Sequence, residues 1–233
     1  MEPSGGLAIR THRLGRRFQR SWALAHCDLE VRAGEAVLVA GANGSGKTTL
    51  LRLVAGLLRP SVGEVSVFGL EPRTRRLAAR RRLSLVSHHS FLYERLTAIE
   101  SLRLWARILG GAHDDRALAA LLDEVGLAER ADSPVHTFSA GMRKRLTLAR
   151  TRLEDPELLL LDEPFAALDV PGQRLVERWI RDSAARGVTV VLASHQLEQA
   201  AALCSRAIVL KRGQIEWEGS AAEAASRFEA SAS

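Results

Sequence analysis

Residues 41–48 read Gly-Ala-Asn-Gly-Ser-Gly-Lys-Thr, three glycines followed by a lysine and a hydroxyl at fixed offsets. That set of residue types is suited to holding an anion. Without side chains at Gly41, Gly44 and Gly46 the backbone can curl, so that successive N–H groups point inward at phosphate oxygens. Ala42, Asn43 and Ser45 complete the wall of the cradle. Lys47 supplies a cation within reach of β- and γ-phosphates, and the Thr48 hydroxyl is a ligand for Mg²⁺. Thr49 follows directly and is counted in the same binding set. A glycine-rich turn with a chance lysine would look similar, so the flanks decide. Ala36–Ala40 is an apolar run of strand length, and a helical pattern runs from Lys47 to Leu58 until Arg59-Pro60. A strand leading in and a helix leading out place the positive end of the helix beneath the anion.

A second constellation lies far downstream. Leu158–Leu161 is a run of leucines, and Asp162 and Glu163 follow it. A buried strand of this kind holds two carboxylates rigidly at its C-terminal end, where open α/β sheets bind ligands. Asp162 is placed to hold Mg²⁺, mostly through water, because that ion keeps several of its waters. Glu163 is suited to polarise an attacking water. Alone, a strand running into an acidic turn is common; downstream of the glycine loop it gains meaning.

The elements that must position these residues alternate along the chain. Strands are expected at Glu64–Phe68, Leu83–Ser87, Leu158–Leu161 and Thr189–Ala193, with Leu7–Thr11 and Cys27–Val31 forming a separate small sheet. The continuous apolar character of the later strands predicts a parallel sheet covered on both faces. The middle of the chain is helical. Arg73–Arg82 reads as a helix, and Thr97 and Glu100 make a capping box for another that ends before Gly110-Gly111. Further helices are expected from about Asp114 to Val125 with Gly126 as a stop, and from Ser139 as N-cap to about Glu154. Gly172–Arg186, a helix near Leu197–Cys204, a hairpin turning at Gly213 and a last helix opened by Ser220 and Glu223 complete the pattern.

Between the two constellations, Phe138-Ser139-Ala140-Gly141-Met142-Arg143-Lys144-Arg145 is similar to the LSGGQ-type signature of ATP-binding-cassette (ABC) ATPases. Ala166-Ala167-Leu168-Asp169 resembles the D-loop of that family, and Ser194-His195 resembles its switch histidine. The correspondence runs in order over about residues 7–219. The resemblance implies an α/β P-loop NTPase with a mostly parallel core sheet, a small N-terminal antiparallel region and a helical insertion. It implies a single domain, with a RecA-like core at about 1–88 and 155–233 and a helical subdomain at about 89–154. ATP and Mg²⁺ would be the cofactors, with Lys47, Glu163 and His195 catalytic and His195 sensing the γ-phosphate. Two copies would stack head to tail, each ATP lying between one copy's phosphate loop and Ser139 and Gly141 of the other. Phe18 matches the place of the aromatic residue that stacks on adenine, with Trp22 as the near alternative.

The pattern departs from the family in two places. A histidine, His89 or its neighbour His88, stands where a glutamine usually meets Mg²⁺ or the attacking water. Ala140 and Met142 replace a glycine and a glutamine of the signature, and a backbone N–H survives both changes.

Composition narrows the function classes. The chain has 233 residues, 46% hydrophobic and 26% charged, an ordinary globular balance. No apolar run approaches the roughly 18–20 residues of a membrane span, and Met1–Arg20 lacks the apolar block of a secretory signal. Cys27 and Cys204 have no metal-ligand spacing and read as reduced thiols. The net charge is +6, densest at Arg73–Arg82, but no aromatics interleave there, and no nucleic-acid partner is expected.

The resemblance then implies separate integral membrane permease subunits and a peripheral place at the cytoplasmic face of the inner membrane. Leu85–Tyr93, Leu96-Thr97-Ala98, Ser139–Met142 and Leu161–Phe165 look most like CcmA, the ATPase subunit of the haem exporter of bacterial cytochrome c maturation. Another ABC exporter ATPase, for a drug, lipid or polysaccharide, would share the chemistry. A soluble non-transport cassette is a different class, usually marked by tandem domains or a long coiled coil that this sequence does not show.

Overall fold

A computed structural model describes residues 6–75, 78–79, 81–87, 92–111 and 113–224. They fall into two compact units. One comprises Met1–Leu85, Glu157–Pro164 and Trp179–Ser233, and the other Val86–Pro156 and Phe165–Arg178.

The first unit is built on two sheets. β1 (Leu7–Phe18) and β2 (Ser21–Arg32) form a long antiparallel hairpin, and β4 (Val62–Val67) pairs with the other side of β1. The six-stranded sheet has the order β5-β6-β7-β3-β8-β9, from β3 (Ala36–Ala40), β5 (Leu83–Val86), β6 (Leu158–Asp162), β7 (Thr189–Ala193), β8 (Arg206–Lys211) and β9 (Gln214–Ser220). β6, β7, β3 and β8 run parallel, and β9 returns antiparallel after Gly213. Every residue of β6 and β7 is buried, as a continuous apolar run in a two-sided sheet requires.

Both strands of the hairpin run 12 residues, far beyond the expected Leu7–Thr11 and Cys27–Val31. Arginines at 13, 16 and 17 break the alternation, and irregularities at Arg13 (φ 44°) and His26 (φ 50°) absorb the resulting register shifts. Thr11 mends the ladder there. Its hydroxyl donates to the Cys27 carbonyl at 2.9 Å and accepts from the Leu29 N–H at 2.8 Å.

Helix α1 (Lys47–Val54) is shorter than its apolar pattern, which runs on to Leu58. Gly56, at φ 67°, ends it: the Leu57 N–H donates to Arg52 O and the Gly56 N–H to Leu53 O, the paired bonds of a Schellman stop. Leu50, Leu51 and Leu53 are fully buried among Ile9, Leu14, Val37, Leu160 and Ile208. Each contributes about 1.5–3 kcal/mol by leaving water, so the helix is anchored by packing rather than length.

In the second unit, α2 (Ala98–Leu109) begins with the expected capping box, Thr97 and Glu100 each bonded to the other's backbone. α3 (Asp115–Glu124) is capped by Asp114 and closed at Gly126, and α4 (Ala140–Glu154) is capped by Ser139. Arg150 is buried on α4, its guanidinium 4.8 Å from the Trp105 ring centre and 3.2 Å from Glu154. α5 (Val170–Ala185) starts two residues before the expected Gly172, and α6 (Leu197–Ala201), which belongs to the first unit, is shorter than expected. The expected helix over Arg73–Arg82 lies partly outside the described residues, and His88 and His89 lie wholly outside them.

Candidate functional site

The register of the large sheet brings three strand ends level. Asp162 pairs with Ala193, and Ala193 with Val39. The chain therefore leaves β3 into Gly41, β6 into Glu163 and β7 into Ser194-His195 along one edge.

The glycine loop is closed by contacts that exclude side chains at two positions. Gly46, the N-cap of α1, sits at φ 113°, and a Cβ there would lie 2.5 Å from the Ala23 carbonyl oxygen of β2. At Gly41 (φ 149°) a Cβ would lie 2.5 Å from both Leu210 O and Ser45 Oγ. The Ser45 N–H donates to Ala42 O at 3.1 Å, and Ser45 O accepts from the Gly213 N–H at 2.9 Å. Ser45 Oγ is buried with no hydrogen-bond partner among the described residues. The first-turn N–H groups of α1 have no intrahelical acceptor. An orphaned hydroxyl, free N–H groups and a cradle that a Cβ would fill are features that fit a bound phosphate.

Three charged side chains, a histidine and a threonine meet around the loop. Lys47 folds back so that Nζ donates to Gly41 O at 2.7 Å and Ala42 O at 3.2 Å, and it stands 3.8 Å from Glu163 Oε1. Burial pushes the Lys47 ammonium below the usual lysine range, while Glu163 and Asp162 oppose that shift. The Thr48 hydroxyl donates to Asp162 Oδ1 at 3.0 Å. Glu163 Oε2 lies 2.8 Å from His195 Nδ1, and the Ser194 hydroxyl and His195 N–H each reach the same oxygen at 3.4 Å. Because a carboxylate only accepts, Nδ1 carries the proton. Glu163 itself adopts φ 51°, a left-handed conformation that costs a non-glycine residue, and its N–H donates to Ala193 O at 2.9 Å. Strain of that kind clusters at functional sites.

Phe18 closes β1 opposite Ser21, 44% exposed, with the Arg16 guanidinium 4.8 Å from its ring centre. Trp22 is 42% exposed but more engaged: it lies under Arg17, tilts against His26 and packs over Gly15. Ser139 and Gly141 belong to the second unit. The Ser139 hydroxyl accepts from the Met142 N–H at 3.2 Å, and Gly141 approaches the Ala167 carbonyl so closely that a Cβ would sit 3.2 Å from it.

Sequence reasoning missed several supports: Ala23 and Gly213 against the loop, and the bonds of Lys144, Arg145 and Asp169. Only Asp169 carried a local signal. An Asp with proline two residues on is an N-cap pattern, and its carboxylate accepts the Gly172 N–H at 3.0 Å.

A protein-family model described as ABC transporter matches residues 24–166. The chain belongs to the ABC transporter family. This ABC cassette is 35% identical over 222 residues to the sulfate/thiosulfate import ATP-binding protein CysA of Mesorhizobium japonicum, covering 92% of the cassette and 64% of that relative. It is 36% identical over 206 residues to the Nod factor export ATP-binding protein I of Burkholderia thailandensis, covering 88% of the cassette and 68% of that relative. The cassette thus spans about two thirds of the length of these relatives, and neither carries the name CcmA. A solved dimeric ATP-binding cassette in a post-hydrolysis state, bound to ADP and Pi, matches it with a TM-score of 0.82 at 26% identity. That alignment covers 91% of this chain and 98% of the other. The fold is the ABC ATPase fold, an α/β structure with a mostly parallel sheet and a small antiparallel region.

Proposed function

We propose that this cassette binds ATP–Mg²⁺ on residues 41–48 and hydrolyses it as the motor subunit of a multi-subunit transporter. The observation that carries the proposal is the convergence of Lys47, Thr48, Asp162, Glu163 and His195 at the level ends of β3, β6 and β7. The loop N–H groups and Ser45 Oγ hold phosphate oxygens, and Lys47 exchanges two backbone carbonyls for the β- and γ-phosphates. Thr48 and Asp162 would hold Mg²⁺, which would supply charge neutralisation at the phosphates. Among the described residues no cluster of three or more His, Cys, Asp or Glu could hold a metal alone. Mg²⁺ needs only one or two carboxylates beside the phosphates, so the donor set fits.

Glu163 accepts the proton of the attacking water, and His195 fixes the orientation of that carboxylate. With the proton on Nδ1, an Nε2 contact to the γ-phosphate requires the imidazolium, or release of Nδ1 from Glu163. Ser139 and Gly141 open a helix whose first-turn N–H groups suit an anion, and the proposal assigns them to the ATP of a second, head-to-tail copy. Phe18 would receive the adenine.

No described helix is long and apolar enough to cross a membrane. Membership of the ABC transporter family supports action through integral permease subunits at the cytoplasmic face. The resemblance of residues 85–93, 96–98, 139–142 and 161–165 to CcmA supports haem export as the cargo reading. The names of two relatives, for sulfate/thiosulfate import and Nod factor export, support other cargo readings. Co-purification with a polytopic membrane protein, identified by mass spectrometry, separates these.

The hydrolytic claim is tested by Glu163→Gln, which keeps shape and hydrogen bonding but removes the base. Hydrolysis is expected to fall about 10²–10⁴-fold while ATP binding persists. A variant that turns over ATP at the wild-type rate refutes the assignment.

A further inference from the structure

Residues 166–169 follow Glu163 closely in the chain and lead into α5. Within their own unit they are held by the first turns of α4. Lys144 is only 9% exposed, and its ammonium donates to the Ala166 carbonyl at 2.9 Å. Arg145 donates to Asp169 Oδ1 at 2.8 Å, the same oxygen that caps α5 through the Gly172 N–H. Between these two clamps lies Ala167, a non-glycine residue at φ 61°, with its carbonyl against Gly141.

Burying an ammonium is costly, and a methionine would fill the same space without that cost. Unlike a methionine, the lysine donates a directed bond to the Ala166 carbonyl. A left-handed alanine persists only where its surroundings over-determine it, and the two basic residues of α4 hold the chain on either side of it.

We propose that Lys144 and Arg145 are positioning residues that lock residues 166–169 to the start of α4, so that a γ-phosphate docking at Ser139 sets the segment following Glu163. The proposal rests on the two-copy reading above, in which the docking phosphate belongs to the second copy. Lys144 and Arg145 touch no nucleotide. They act by making the signature and the loop move as one body, so their loss weakens phosphate-driven pairing of copies and leaves ATP capture by residues 41–48 intact.

The test uses the full chain carrying Glu163→Gln, which retains ATP. Light scattering with ATP–Mg²⁺ gives the protein concentration of half-dimerisation, and displacement of a fluorescent ATP analogue gives affinity at concentrations where the chain is monomeric. Lys144→Met keeps the stem and removes the donor; Lys144→Arg restores a donor. Lys144→Met is expected to raise the half-dimerisation concentration about tenfold, within the range of couplings between sites. ATP affinity should stay within about twofold, and Lys144→Arg should recover most of the loss. Unchanged half-dimerisation in Lys144→Met overturns the proposal. So does an equal loss of ATP affinity or of the cooperative thermal transition, which would make the lysine a folding residue. Failure of Glu163→Gln alone to dimerise overturns the two-copy reading and this proposal with it, and is seen before any change at Lys144.

Discussion

The starts of α1 and α4 are both helix N-termini with unspent N–H groups, and their surroundings differ sharply. Around the first, Lys47, Thr48, Asp162, Glu163 and His195 are already in hydrogen-bond or ion-pair reach of one another. Around the second, Ser139 spends its hydroxyl on its own helix, and Ser139 and Ala140 stand exposed. α4 instead spends its charged residues further along, where Lys144 and Arg145 hold the 166–169 loop. In the proposed function, the first end holds the groups that do chemistry, and the second receives the phosphate bound by another copy and passes its arrival to the 166–169 loop.

If the division is right, the two ends respond differently to damage. The largest effect belongs to Lys47→Ala, which removes the loop's cation: turnover should fall by about 10²–10³ or more, and ATP affinity should collapse with it. Measured kcat and Kd for ATP check this, and a near wild-type rate would take the chemistry away from residues 41–48. At the other end, Ser139→Ala should lower turnover about tenfold with monomer ATP affinity unchanged, because it disturbs only the licensing end. It also removes an N-cap worth about 1 kcal/mol, seen as a fall of about 2–4 °C in the melting temperature. Equal losses of affinity at both ends would erase the distinction.

A smaller effect sharpens the map of the first end. Phe18→Ala should weaken ATP binding by about 1–2 kcal/mol, a stacking contribution, and leave inorganic tripolyphosphate binding unchanged. Trp22→Ala should disturb both ligands alike, since Trp22 packs over Gly15 beside the strand that touches the loop. The reverse outcome would move the base to Trp22.

The smallest effect lies away from both ends. Arg82 grips Glu157 with two bonds of 2.6 Å and stacks 3.9 Å over Phe68. The hydrogen bonds from Arg82 hold the Glu157 carboxyl below the usual carboxylate range. A lowered folded-state pKa means stability that is present above the ordinary value near 4.3 and lost as pH falls through the folded value. Glu157→Gln should therefore lower the melting temperature by about 1–3 °C at pH 7, a modest figure because the carboxylate is half exposed. The difference should vanish near pH 2. A gap that persists in acid would assign the effect to packing.

What could be read from the sequence follows from how local the cause was. The loop at 41–48, the buried strands and the caps at Thr97 and Ser139 depend on neighbours within a few residues, and their positions agree with the pattern. The hairpin was read at less than half its length because Arg13, Arg16 and Arg17 face solvent or aromatic rings and hide the alternation. α1 ends at Gly56 because a left-handed glycine closes it, although the apolar period continues to Leu58. Contacts such as Ala23 against Gly46 join residues remote in sequence, and no period or motif announces them. Lys144 stands within the signature-like string, and nothing local points to its carbonyl partner 22 residues away.

The central claim is that the chemistry of one copy is licensed by the other, and reaction order tests it most directly. ATP hydrolysis would be measured over serial dilution of the chain in saturating ATP–Mg²⁺, with light scattering on the same samples. The account predicts that specific activity falls with dilution as the scattering mass drops to that of one chain, the rate approaching second order in protein. Full specific activity in samples that scatter only as single chains would contradict it, and would place the whole of catalysis around the loop at 41–48.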